Sequence, residues 1–236
     1  YRYAGARDAV NNYVCLGSTE SPCPDANLFR IIGVFGDQVK VIRAKSVGNM
    51  VWDSNKSNTW STSSLNTYLN GEYLTSLGTL SEKIATTTWK VGGNTWSNIA
   101  EVVPSAAYAN EITNAVTTNT TDNATEYSAK IGLMYVSDYG FAADPSTWTT
   151  TLNNYDGSVN GSTIRSLNWL YLGPNEWTIS RCTDSSNFAF YVYSFFGGVN
   201  YKSVYLNYGV RPSFSLVSSI NYVSGSGTQD SPIIIN

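Results

Sequence analysis

The sequence predicts one α+β domain spanning residues 1–236, with short helices, small antiparallel sheets, long loops and strands at both ends. Three observations carry this reading. Apolar residues recur at helical spacing early in the chain, at Leu65, Tyr68, Leu69 and Tyr73. Runs of β-branched and aromatic residues, bounded by Gly, Asn, Asp and Ser, dominate the carboxyl half. Long polar stretches separate the elements, yet neither a fixed-period repeat nor a linker composition divides the chain.

In chain order, Asn12–Leu16 and Leu28–Phe35 read as strands on either side of a cysteine-containing loop. The apolar run Ile31–Phe35 has little alternation, which predicts burial on both faces. Gly36-Asp37 turns the chain into a further strand, Gln38–Arg43, completing a hairpin. Residues 44–60 read as loop. Ser61 is placed to cap a helix over 62–77, with a second helical piece over Leu80–Thr87. Gly92-Gly93-Asn94 marks a turn, and the Thr/Asn-rich tract from Val116 to Glu126 reads as loop. Ile131–Val136 is predicted as a strand ended by Ser137-Asp138-Tyr139-Gly140. After a turn-rich stretch over 144–166 come short strand candidates at Asn168–Leu172, Trp177–Ile179, Phe188–Tyr193, Val199–Leu206, Val210–Leu216, Ile220–Val223 and Ile233–Ile235. Gly197-Gly198 supplies a hairpin turn. The first and last strands are placed to pair and close the domain on itself.

Composition narrows the function. Charged residues are only 13% of the chain, against about a quarter in typical soluble domains. Net charge is −3 and no Lys/Arg cluster occurs, which argues against nucleic acid and anionic membrane as partners. The absence of histidine removes the usual general base, the Ser-His and Cys-His pairs and imidazole metal ligands, so no catalytic residue, metal ligand or cofactor is assigned. No stretch is apolar for long enough to span a bilayer, and no signal peptide is visible. A chain opening at Tyr1 reads as a trimmed one, which leaves room for an anchor, signal or amino-terminal helix ahead of it.

Of three cysteines, Cys15 and Cys23 flank a polar turn-forming segment. A local disulfide in an oxidising compartment and two unlinked thiols are the two readings. Cys182 reads either as a buried thiol or as part of a recognition surface. Asp138, Asp144 and Asp156 are the acids available for calcium, but without EF-hand spacing. Glu101, Glu111, Glu126 and Glu176 include no pair that stands out for glycoside hydrolysis. Arg211 before Pro212 reads as a buried framework arginine, and the tryptophans also as framework.

Residues 182–208 carry the functional signal. Nine Phe and Tyr residues stand there among small polar ones, with Asp184 and Lys202 the only charges. Rigid aromatic anchors with adaptable polar neighbours are what a binding surface uses. Alternation along a strand sends Phe188, Phe190 and Val192 to one face and Tyr191, Tyr193 and Phe195 to the other. The second set is expected to be displayed, with Tyr201, Ser203 and Tyr205 alongside. The candidate ligand-binding residues are Cys182, Asn187, Tyr191, Tyr193, Phe195, Phe196, Asn200, Tyr201, Ser203, Tyr205 and Asn207.

Several ordered motifs resemble a family of surface proteins of gut Firmicutes or their phages. They are Asn11-Asn12-Tyr13-Val14, Phe29–Phe35, Lys130–Gly140, Trp177–Ser180, Gly209-Val210-Arg211-Pro212 and Gly225–Thr228 followed by Pro232. The resemblance spans nearly the whole chain, and the order of these short motifs makes it specific. It implies a C-type-lectin fold of the formylglycine-generating-enzyme-like branch. In that branch Glu-Trp-Thr and a later Gly-aromatic-Arg-Pro bracket the carboxyl part; here they correspond to Glu176-Trp177-Thr178 and Gly209–Pro212, with Val210 in the aromatic place. Some relatives are variable proteins of diversity-generating retroelements, in which randomised Asn codons yield Tyr, Phe, Asn, Ser, Asp, Cys, Val, Leu and Gly. Residues 182–208 lack Trp, Met, Gln and Glu, with Lys202 as a fixed exception. The resemblance implies a non-catalytic display protein at the cell surface, recognising a protein or glycan, with no direct membrane contact by this segment. A pilin-like appendage subunit is the alternative. The branch's enzymatic motif is missing near Cys182, as are the Glu-Pro-Asn, Gln-Pro-Asp and Trp-Asn-Asp signatures of calcium-dependent sugar sites.

Overall fold

The computed structural model of the chain describes residues 1–113 and 125–235. It begins with strands β1 (Tyr13–Cys15), β2 (Leu28–Phe35) and β3 (Gln38–Arg43). The β2–β3 hairpin turns at Gly36, whose φ of +62° lies in the left-handed region that glycine enters without cost. Leu28–Gly33 are buried without a break, but Val34 is exposed and Phe35 half-buried, so two-face burial ends before the strand does.

After β4 (Asn49–Met50), the expected helix runs over Ser64–Ser76 as α1 (Ser64–Tyr68), a π-helical segment (Leu69–Tyr73) and α2 (Leu74–Ser76). Its cap is Ser63 and not Ser61. A 3-10 turn at Trp60–Thr62 brings the Ser63 hydroxyl to accept from the Asn66 amide at 3.1 Å. Leu65, Leu69 and Tyr73 point into the core. The second helical piece is a 3-10 segment over Gly78–Lys83, because Thr87 already belongs to β5 (Thr87–Lys90). Next come α3 (Trp96–Ile99) and α4 (Pro104–Tyr108). Most of the predicted 116–126 loop lies outside the described residues; its last residue, Glu126, opens β6 (Glu126–Ala129), the partner of β5.

Two strand expectations fail. Ile131–Val136 makes only one bridge, Gly132 with Ser213, and Val136–Ala142 forms helix α5. The Asp138 carboxylate accepts from the Tyr135 amide at 3.0 Å and so starts the helix. The apolar run is buried on both sides as an extended segment without a ladder: Ile131 and Leu133 enter one core, Met134 and Val136 the other. Asn168–Leu172 is likewise no strand. The Asn168 side chain donates to the Tyr139 carbonyl and accepts from the Leu170 amide, which holds a turn there.

The remaining strands are β7 (Ser158–Val159), β8 (Ser162–Thr163), β9 (Glu176–Cys182), β10 (Phe188–Val192), β11 (Val199–Ser203), β12 (Tyr208–Gly209), β13 (Ser213–Ser215), β14 (Tyr222–Ser224) and β15 (Ile233–Ile235). A six-stranded sheet has the order β13-β3-β2-β1-β15-β14, and a five-stranded sheet the order β11-β10-β9-β12-β4. The expected pairing of the ends is present. β1 and β15 run parallel, with Val14 opposite Ile233 and Cys15 opposite Ile234. Gly227 seals this junction: its carbonyl accepts from the Tyr13 amide, and an added Cβ would come within 2.6 Å of the Asn11 carbonyl oxygen. Cys15 and Cys23 are joined by a disulfide.

Central strands are buried on both faces, so two cores form. Phe29, Val41, Trp177, Tyr191 and Phe214 belong to one. Ile32, Ile42, Tyr139, Trp169 and Phe190 belong to the other. Three groups of buried charge tie distant segments together. Arg211 Nε lies 2.5 Å from Glu176 Oε1, and its Nη2 donates to the Leu170 carbonyl at 2.6 Å. Asp138 accepts from Arg2 at 2.8 Å and Lys40 at 2.5 Å. Arg30, stacked between Tyr13 and Trp169, donates to the Asn12 side chain and to the carbonyls of Arg7 and Val10.

Two stability predictions arise. Cys23→Ser opens a crosslink between residues eight apart and is expected to cost about 2–3 kcal/mol in urea unfolding, reproduced in the parent protein by reductant. An unchanged midpoint would contradict it. Burial alone would raise the Asp138 carboxyl, but Lys40 and Arg2 outweigh that and hold it at about 2. A carboxyl depressed in the fold stabilises above its unfolded value and loses that contribution as pH falls through the folded value. The stability gap between the parent and Asp138→Asn is therefore expected to narrow between about pH 4 and about pH 2. A gap constant with pH would disprove this.

Candidate binding surface

β10 and β11 form the free end of the five-stranded sheet, and the segment 193–198 joins them as a projecting tip. The turn needs Gly197, with φ +69°, and Gly198, where a Cβ would meet the Asn153 carbonyl oxygen at 2.8 Å. Neighbouring elements strap the tip down. The Arg165 guanidinium donates to the Phe195 carbonyl, the Tyr171 hydroxyl to that of Ser194, and the Tyr139 hydroxyl to that of Gly197. The Ser194 amide donates to the Asn175 side chain at 2.8 Å, and the Val199 amide to the Leu152 carbonyl at 2.8 Å. With its backbone held, the tip presents Phe195, 67% exposed, and Phe196, 39% exposed, as an edge-to-face pair with centroids 4.7 Å apart.

Beside this pair lies a hollow of about 240 Å³ lined by Trp96, Asn153, Tyr193, Phe196, Val199 and Asn200. Asn200 and the Asn153 side chain bring hydrogen-bonding groups to an otherwise aromatic wall. Trp96 stands edge-on to Tyr201 at 5.3 Å, extending the aromatic face along β11. Its backbone amide donates to the Asp184 carboxylate at 2.7 Å, which fixes the start of α3.

The structure sorts the predicted residues into four groups. Tyr193, Phe195, Phe196, Asn200 and Tyr201 come together at the tip and hollow. Asn187 and Ser203 are half-buried at the opposite end of the β10–β11 ladder, where Phe188 pairs with Ser203. Tyr205 is exposed beyond them under the Lys56 amine, and Asn207 is exposed just before β12. Cys182 and Tyr191 are buried, which corrects their expected display. Tyr191 packs against Trp177 and Tyr208 in the first core, because β10 is an inner strand covered on both faces. Cys182 lies in the second core, and burial pushes its thiol up to about 12, so it stays protonated. Register makes a further correction. Tyr201 opposes Phe190 and Ser203 opposes Phe188, so neither shares a face with Tyr191.

Sequence reasoning missed Trp96 and Asn153, which reach the hollow from the start of α3 and from a loop, both far from the aromatic run. A tryptophan among small polar residues, Asn94-Thr95-Trp96-Ser97-Asn98, was the available signal.

Three of the acids weighed for chemistry are buried and engaged. Glu176 pairs with Arg211, Asp138 with Arg2 and Lys40, and Glu111 accepts from the Val136 and Ser137 amides and the Ser180 hydroxyl. Burial pushes the Glu111 carboxyl up.

No curated protein and no solved structure matches the chain. Residues 36–218 match a family model described as a domain of unknown function, DUF6273. The matched segment holds β3–β13 and the whole tip and hollow, and on this match the chain belongs to the DUF6273 family.

Proposed function

We propose that this domain is a non-catalytic binding module, displayed outside the cell, that contacts a protein or glycan through the 193–198 tip and the adjoining hollow. The observation that carries the reading is the tip itself: exposed Phe195 and Phe196 on a backbone held by side chains from three other segments. A preorganised aromatic anchor gives contact area at low entropic cost. The engaged carboxylates of Glu111, Asp138 and Glu176 and the protonated, buried Cys182 thiol favour binding over turnover. The Cys15–Cys23 bond favours an oxidising compartment. Paired terminal strands, small sheets and long loops support the C-type-lectin-like assignment.

The variable-protein reading is narrowed to positions that leave both cores intact. Phe195, Phe196, Asn200, Tyr205 and Asn207 meet that condition; Cys182 and Tyr191 do not. An appendage subunit is the second reading. It is favoured by β14, an edge strand whose three residues are all exposed and which ends the six-stranded sheet.

Screening against immobilised glycans and surface proteins is expected to yield a saturable ligand. Phe195→Ala with Phe196→Ala should weaken that ligand's binding at least about tenfold, about 1.4 kcal/mol or more, while leaving the thermal midpoint near that of the parent. Unchanged binding by the double variant sinks the proposal. Sequencing the locus across strains is expected to show substitutions concentrated at the exposed positions of 182–208; an even spread along the chain would remove the variable-protein reading. Concentration-dependent filaments through β14 would favour the subunit instead.

A further inference from the structure

A second hollow, of about 240 Å³, shares no lining residue with the first and draws on parts of the chain far apart in sequence. Arg2 enters from the amino terminus, Lys40 from β3 and Asp138 from α5. Asp138 is saturated: one oxygen accepts from Arg2, the other from Lys40 and the Tyr135 amide. One carboxylate thus faces two cations. Lys90, on the rim, is already paired with Glu126. Glu111 acts on Lys40 only at longer range: burial pushes its carboxyl up, and its oxygens accept from the neutral Val136 and Ser137 amides and the Ser180 hydroxyl, not from either cation.

The surplus charge is surrounded by rings. The Lys40 amine sits 4.5 Å from the Tyr135 centroid and 5.1 Å from that of Trp89. The Arg2 guanidinium sits 4.5 Å from Phe35, 4.9 Å from Phe141 and 5.3 Å from Tyr108. Rings attract a cation without neutralising it. A positive charge kept in a partly dry hollow without its own counter-ion is costly, and an anion entering the hollow removes that cost. Four of these rings line the hollow itself: Phe35, Trp89, Tyr108 and Tyr135.

We propose that this hollow binds a small monocarboxylate with a flat or slender apolar body, its carboxylate on Arg2 and Lys40 and its body between the aromatic walls. One surplus charge suits a monoanion better than a phosphate dianion. The volume falls below the roughly 300–1,000 Å³ of drug-sized sites, which limits the ligand to a small molecule. The inference does not depend on the tip being a binding surface, since the two hollows have no lining residue in common.

The test is titration of the full chain with phenylacetate, indole-3-acetate and hexanoate, followed by amide chemical shifts, with 2-phenylethanol as the neutral counterpart. At least one acid is expected to bind saturably, and 2-phenylethanol at least tenfold more weakly than phenylacetate if phenylacetate is that acid. Arg2→Gln should abolish binding. Thr88→Trp, at an exposed rim position, should also abolish it while leaving the charged cluster and the fold unaltered. Absence of saturable binding by all three acids, equal binding of phenylacetate and 2-phenylethanol, or full binding by Thr88→Trp would each overturn the proposal. If Arg2→Gln does not fold, Thr88→Trp still decides it.

Discussion

The ion pair between Glu176 and Arg211 is the joint on which the carboxyl half depends. Both side chains are buried, and Arg211 also holds the Leu170 carbonyl. Glu176 opens β9, stands opposite Val192 at the end of β10, and neighbours Gly209 of β12. The pair therefore fixes three strands at the point where the chain leaves the sheet for the 193–198 tip. Such a pair adds little net stability compared with a well-packed apolar replacement. Removing one partner is another matter: it strands a buried charge, at about 3–5 kcal/mol. Its contribution is position, because it sets where the tip emerges.

The aromatic residues continue that theme from the interior outward. Trp177 packs on Tyr208 at 4.6 Å, Tyr208 on Tyr191 at 4.7 Å, and Tyr191 on Tyr193 at 6.1 Å. Tyr193 then meets Phe196 at 5.6 Å, and Phe196 meets Phe195. The series starts in a core at a fully buried tryptophan and ends at a ring largely in water. Rigidity at the tip is thus inherited from the packed interior, and the exposed members are the ones whose identity the fold does not constrain.

Local signals were legible in the sequence wherever a short segment decides its own structure. The β2–β3 hairpin matches its expected limits because Gly36 and the β-branched runs specify it without outside help. The helix around Leu65 and Leu69, the last strand and the pairing of the two ends also follow from pattern; the parallel direction of that pairing does not. The errors fall where tertiary context decides. Ile131–Val136 has strand composition, yet it meets β13 only at the Gly132–Ser213 bridge and builds no ladder, and Asp138 converts its end into a helix. Period-2 alternation separates Tyr191 from Phe190 but does not reveal that both faces of β10 are covered. Trp96 carried a local signal, but its meeting with Asn153, like the cluster of Arg2, Lys40 and Asp138, was out of reach because folding alone brings these residues together.

The parallel pairing of β1 with β15 has a mechanical consequence. The chain enters β1 at one end of that ladder and leaves β15 at the other. A pull applied between the two ends then drags the strands past each other, so their hydrogen bonds share the load instead of opening one by one. A domain pulled through β1 and β15 would resist extension at this seam.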